Sequence, residues 1–219
     1  MRKDPLITDY TYHIFNRGVN KQDIFFNESD YRHFLAATLH YITKNDRFSY
    51  QKFNRYQSLN NRNDRVSLQV NNPKVKIIAY CLMTNHFHFL IKQLIDDGIT
   101  SFMRHLSNSW SHHLNIKYER VGPLYQGRFK NVLVETDEQL IHTSRYIHLN
   151  PMVANIVSNL KEYPWSSYLK YISDKKDDSC DPSVVLNLFQ SRRSYEEFVL
   201  DQEEYSKELE KIKHLALDF

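Results

Sequence analysis

Residues 75–92 constrain this chain more than any others, because VKIIAYCLM and HFHFLIK are two apolar runs joined only by Thr84 and Asn85. A two-residue link between runs rich in β-branched and aromatic residues reads as an antiparallel hairpin. The first run is apolar at almost every position, so its strand is expected to be buried on both faces, in the middle of a sheet. The second run alternates. Successive side chains of a strand point to opposite faces, so His86 and His88 share one face while Phe87 enters the other.

The neighbouring segments supply the rest of such a sheet. Tyr10–Asn16 (YTYHIFN) reads as a first strand stopped at Arg17-Gly18. From Ser29, a good N-cap, apolar residues recur at Phe34, Leu35, Leu39 and Ile42 with helical spacing. Phe102, Met103, Leu106, Trp110 and Leu114 mark a second helix over 99–117, closed by Gly122-Pro123. NVLVE (131–135) reads as a short strand, and Thr136 caps a helix expected to run to Asn150-Pro151. The fold class expected is α+β: a ferredoxin-like, antiparallel four-stranded sheet with helices packed on one face, plus a C-terminal helical extension. The Asn-rich stretch 45–73 reads as a polar insert in which SLQV could make a short strand. After Pro164 the chain reads as helical and acidic, dividing it into 1–168 and an extension at 169–219.

Composition narrows the function. Residues 1–135 hold 19 Lys and Arg against 11 Asp and Glu, a balance of +8, whereas 136–219 hold 10 against 15, a balance of −5. The first part suits a polyanionic partner. With four glycines, Gly18, Gly98, Gly122 and Gly127, no phosphate-cradling glycine-rich loop can be written, which argues against a nucleotide cofactor. Cys81 and Cys180 make neither a CxxC pair nor a disulfide framework, which fits a reducing compartment. No apolar run nears the ~20 residues of a membrane span, and the start lacks a signal-peptide core, so a cytoplasmic location without membrane association is expected.

His86 and His88 make a metal half-site, or else two ordinary histidines on a polar sheet face. On the helix from 137, His142, Tyr146 and Asn150 recur at i, i+4 and i+8 and so form one stripe. A phenol beside a divalent cation loses its proton more easily and can attack phosphorus to give a phosphotyrosine, or else Tyr146 is simply packed under the sheet. Imidazole and oxygen ligands without thiolate suit Mg²⁺ or Mn²⁺. Arg17, Lys21, Arg128 and Lys130 flank predicted strand ends, where cations can meet phosphates; Tyr125 and Phe129 could stack bases or fill the core, and Trp110 reads as core.

FNRGVNKQDIFF (15–26), AYCLMTNHFHFLIK (79–92), GPLYQGRFK (122–130), SRYIHLNPMVANIV (144–157) and YPWSSY (163–168) together resemble the single-tyrosine HUH transposases, in particular the REP-associated tyrosine transposases of IS200-like type. The resemblance implies a ferredoxin-like fold, a divalent metal, usually Mg²⁺ or Mn²⁺, and cleavage and joining of single-stranded DNA at hairpin ends. By the same resemblance His86 and His88 are the metal-binding pair, Tyr146 is the nucleophile joined to a DNA 5′ phosphate, and Asn150 completes the metal site. His142 lies outside the family pattern, as do the insert at 45–73 and the extension at 169–219. The activity expected is that of a metal-dependent single-stranded DNA endonuclease and strand transferase acting on single-stranded or hairpin DNA, as monomer or homodimer. Its rivals are a domesticated, non-cleaving nucleic-acid-binding module and a metal phosphoesterase that activates water.

Overall fold

The computed structural model describes residues 5–42, 72–174 and 179–201. Four strands, β1 (Thr11–Arg17), β2 (Val75–Leu82), β3 (His86–Gln93) and β4 (Lys130–Val134), form one sheet in the order β2-β3-β1-β4, with every pair antiparallel. Helix α1 (Glu28–Ile42) joins β1 to β2, and α2 (Gly98–Lys117) joins β3 to β4. This βαββαβ order is the ferredoxin-like arrangement. The SLQV segment and most of the polar insert lie outside the described residues, as does the chain from 202 onward.

Alternation divides the sheet into two faces. Tyr12 and Ile14 of β1, Phe87, Phe89 and Ile91 of β3, and Ile77, Tyr80 and Leu82 of β2 meet Phe34 of α1 and Phe102, Leu106, Trp110 and Leu114 of α2 in one buried cluster. Trp110 is core, as its spacing implies, and its indole N–H donates to Ile24 O at 3.1 Å. The opposite face carries Ile78, Ala79, Cys81 and Leu90, covered by Leu140 and Ile147 of α3 (Asp137–Val153). Thus the two helices of the βαββαβ unit share one face, and α3 docks on the other.

Three details differ from the sequence reading. Helix α1 starts one residue before Ser29, because Asn27 Oδ1 accepts from the backbone N–H of Asp30 and takes the capping role. Helix α3 continues through Pro151 to Val153: a proline in the last turn disturbs little when the bonds beyond it persist, here Ala154 N to Asn150 O at 2.9 Å. After Pro164 the chain does not run on as one helix. The PWSSY backbone first pairs with the β2 edge, Leu82 N donating to Trp165 O and Ser167 N to Tyr80 O, both at 2.9 Å. Three short helices then follow: α4 (Tyr168–Ile172), α5 (Ser183–Leu186) and α6 (Arg192–Leu200).

Buried His148 of α3 fastens these parts. Its Nδ1 meets the Tyr195 hydroxyl and its Nε2 the Ser167 hydroxyl, each at 2.7 Å. Burial holds its pKa down at about 3, so the ring is neutral and bridges two hydroxyls without an uncompensated charge. No helix among the described residues is long and apolar enough to cross a membrane.

Candidate active site

The face under α3 presents rows of side chains fixed by strand register. Arg17 stands opposite His86, Phe15 opposite His88 and His13 opposite Leu90, while Lys130 of β4 stands opposite Phe15 and Val132 opposite His13. These residues lie on one face because they occupy alternate positions of three paired strands. His13 is therefore the diagonal neighbour of His88. The two rings stack with centroids 5.1 Å apart, and His13 Nε2 lies 2.9 Å from His88 Nδ1. The His86 ring is perpendicular to that of His88 with centroids 4.9 Å apart, and its Nδ1 lies 2.6 Å from Asn85 Oδ1.

Burial dominates the electrostatics. Desolvation pushes His13 down to about 3 and, with a smaller contribution from the neighbouring Arg17 guanidinium, His86 down to about 4. His88 is held well below the usual imidazole range by burial and then by His86, His13 and Arg17. All three rings are neutral at physiological pH, which is the form that ligates a metal.

Helix α3 brings Tyr146 onto this face. The helix is set by Thr136, whose side chain accepts from Gln139 N, while Gln139 Oε1 accepts from Glu135 N. The Tyr146 ring stands edge-on to His88 at 5.5 Å and to His13 at 5.8 Å between centroids. A cleft between helix and sheet is lined by His13, Val132, Val134, Gln139, Thr143 and Tyr146. The structure thus gathers His86, His88 and Tyr146, and it adds His13, which sequence reasoning missed. Its only sequence signal was the alternation of YTYHIFN, which places His13 on the face away from Tyr12 and Ile14.

The remaining candidates are placed less uniformly. Asn150 lies one turn beyond Tyr146, and its Nδ2 donates to Tyr146 O at 2.8 Å, which leaves the amide oxygen as the end able to ligate. His142 turns from the imidazoles and packs edge-on against Phe198 of α6 at 5.3 Å. The stripe reading fails there, since each step of four residues advances about 40° around a helix. Arg17 is half-buried beside His86; Lys130, Arg128 and Lys21 are exposed, Arg128 just before β4 and Lys21 in the loop after β1. Tyr125 is buried in the cluster with Phe87, on the other side of the sheet from Tyr146, and Phe129 packs partly against that cluster.

Among the described residues no group of three or more His, Cys, Asp or Glu is gathered for a metal ion. The donors at hand are the two neutral imidazoles and oxygen groups, with buried Cys81 held far above the thiolate range by desolvation. That set fits an oxygen-preferring divalent ion such as Mg²⁺ or Mn²⁺ that keeps water or phosphate in its shell.

The turn bearing Asn85 is held from outside the hairpin. Neither Thr84 nor Asn85 has the positive φ of the turns that usually close two-residue hairpins. Instead Gly18 N donates to Asn85 O, and Ile24 N and Phe25 N both donate to Thr84 O, at 2.8–3.0 Å. A side chain at Gly18 would collide with Gln22 O at 2.1 Å, which explains the glycine. The RGVNKQDIFF segment is therefore a clamp on the TNHFH turn.

Comparisons with known proteins find likenesses in sequence and in fold. A family model described as "Transposase IS200 like" matches residues 53–150. Among solved structures, the chain resembles a REP-associated tyrosine transposase bound to a REP hairpin, with TM-score 0.55 and 17% identity over 83% of this chain and 93% of that one. A tRNA(His) guanylyltransferase from Saccharomyces cerevisiae aligns with TM-score 0.38 and 10% identity over 90% and 74%, a likeness too slight to carry argument. No curated protein matches the chain. The structural likeness speaks for the fold, and the chain is similar to the IS200-like transposase family through residues 53–150, a segment that includes His86, His88, Tyr146 and Asn150.

Proposed function

We propose that this protein is a metal-dependent single-stranded DNA endonuclease and strand transferase, with Tyr146 as its nucleophile and hairpin-associated DNA as its substrate. The observation that carries this reading is the edge-on approach of Tyr146 to His88 and His13 across one cleft. The solved relative's REP hairpin supports the choice of substrate.

Under this proposal His86 and His88 hold a divalent ion, Mg²⁺ or Mn²⁺, with Asn150 as a further ligand; when bound, such an ion polarises the scissile phosphate and offsets its charge. The chain's own residues supply the remaining functions. The Tyr146 phenol loses its proton, its Oη bonds to phosphorus, and the bond from phosphorus to the 3′ oxygen breaks. The departing strand takes up a proton as a 3′ hydroxyl, and the 5′ phosphate stays on tyrosine. Because a phosphodiester replaces a phosphodiester, another 3′ hydroxyl can reverse the step on a new strand without a nucleotide cofactor. Arg17 and Lys130, on the same face, are proposed to hold the backbone phosphates, with Lys21 and Arg128 extending the basic track.

The test is a pool of labelled hairpin-forming oligonucleotides incubated with the full chain and Mn²⁺, then resolved on a denaturing gel. The wild-type protein should give a covalent adduct, and Tyr146→Phe should lower adduct and cleavage by at least about 10³-fold with an unchanged melting temperature. Cleavage to free 5′ phosphates without adduct would instead identify a water-activating phosphoesterase. Binding without cleavage would identify a non-cleaving nucleic-acid-binding module.

A further inference from the structure

Each of the two imidazoles read as metal ligands has its Nδ1 occupied by a side chain outside the ligand set. For His86 the hydrogen-bond chemistry leaves one solution. Lys21 O can only accept, so the Asn85 group 3.0 Å from it must be the Nδ2 donor. That orientation turns Asn85 Oδ1 toward His86 Nδ1, at 2.6 Å. An amide oxygen also only accepts, so Nδ1 carries the proton and the neutral ring keeps its lone pair on Nε2. Free neutral histidine favours the opposite tautomer. For His88, Nδ1 meets His13 Nε2 at 2.9 Å; if His88 ligates through Nε2, its Nδ1–H donates to His13.

We propose that Asn85 and His13 are positioning residues that fix His86 and His88 as Nδ1–H tautomers, so that both present Nε2 to the divalent cation. The inference rests on the metal role given to the two histidines under Proposed function. It assigns a purpose to the clamp after β1: Gly18 N and Lys21 O grip both ends of Asn85, through its backbone carbonyl and its side chain, and so transmit the shape of the 18–25 segment to one imidazole. Metal-bound imidazoles are commonly oriented by a second hydrogen bond of this kind, and its removal costs 10–100-fold in affinity or activity.

The first measurement needs no variant. In ¹⁵N-histidine-labelled, metal-free protein, long-range nitrogen–proton correlation should show His86 protonated at Nδ1 and bare at Nε2; the Nε2–H tautomer would overturn the proposal. The second is a Mn²⁺ titration of the full chain without DNA, with the fold checked by circular dichroism. Asn85→Ala should weaken binding by roughly 10–100-fold. Asn85→Asp should restore affinity to within a few-fold of wild type, since it keeps an acceptor at Nδ1 although it loses the donor to Lys21 O. A merely structural role predicts the reverse, with Asp no better than Ala. His13→Leu should likewise weaken binding, and His13→Gln, which retains an acceptor, should recover most of it. His86→Ala is the reference. If it leaves Mn²⁺ affinity unchanged, the metal reading itself fails; if it abolishes binding while Asn85→Ala and His13→Leu do not weaken it, only the positioning role falls.

Discussion

The face of the sheet under α1 and α2 carries Tyr12, Ile14, Phe87, Phe89 and Ile91 against aromatic and aliphatic side chains. The face under α3 carries His13, His86, His88, Arg17 and Lys130 beside Leu90 and Val132. The same strands build both, one residue out of phase. Burying apolar area on the first face needs only shape and volume, and small shifts of partner are forgiven. Holding three imidazoles on the second, His13 and His88 buried and His86 partly so, is tolerable only because the rings are neutral and engaged by Asn85 or by one another, so their positions are dictated by hydrogen bonds. On the proposed reading, stability and reactivity fall to opposite faces of β3 alone.

The sharpest test of that separation is on adjacent residues. Phe87→Ala should cost about 3–5 kcal/mol in urea unfolding, as expected for a fully buried ring. His86→Ala should cost only about 1 kcal/mol while, on the proposed metal reading, removing Mn²⁺ binding. Equal costs would break the distinction between the faces.

Acid should cost the α3 side next. Buried His148 is depressed to about 3 in the fold, while an unfolded histidine titrates near 6.5. Below about 6.5 the unfolded chain therefore takes up a proton that the fold refuses, and stability falls toward pH 3. Between about pH 6.5 and pH 5 the loss is about 2 kcal/mol from this residue, read as a lower urea midpoint. On the opposite side, Asp30 works at lower pH. Burial raises its pKa, but Lys117, the Phe26 N–H and Tyr118 outweigh burial and leave it below the usual carboxylate value. Its contribution is complete above about pH 4 and is lost only as pH falls through the folded value. A midpoint unchanged between pH 6.5 and 5 would contradict the neutral assignment of His148.

The smallest effect concerns charge at the rim of the polar face. On the proposed DNA-processing reading, Lys130→Ala should lower the slope of log affinity for single-stranded DNA against log salt by about 0.7, the share of one phosphate contact. An unchanged slope would remove Lys130 from the strand's path.

Much of this architecture is legible in the sequence because it is local. The hairpin, both helices of the βαββαβ unit and the strand before Thr136 follow from periodicity and caps, and the His-x-His alternation already separates the two faces. His13 and Asn85 escape such reading for a physical reason. His13 matters through the register of β1 on β3, and Asn85 through the carbonyl of Lys21, 64 residues earlier in the chain. The first leaves only the alternation of YTYHIFN as a trace, and the second leaves none. Likewise the stripe of four-residue steps on α3 includes both Tyr146, which meets the sheet, and His142, which meets Phe198, because sequence spacing cannot tell which neighbour, sheet or α6, a helix face meets.

The position of β1 has a consequence for how the molecule comes together. It is the first strand in the chain but lies between β3 and β4, so it pairs with residues 86–92 on one side and 130–134 on the other. The β2–β3 hairpin, closed by two residues, can form in microseconds, whereas the long-range pairings of β1 must wait for slower loop closure. Early in folding the chain therefore presents His86 and His88 side by side without His13, without the grip of Lys21 on Asn85 and without Tyr146. A partly assembled chain can gather imidazoles long before it can bring a phenol to them, so the constellation proposed to be reactive is the last thing the topology completes.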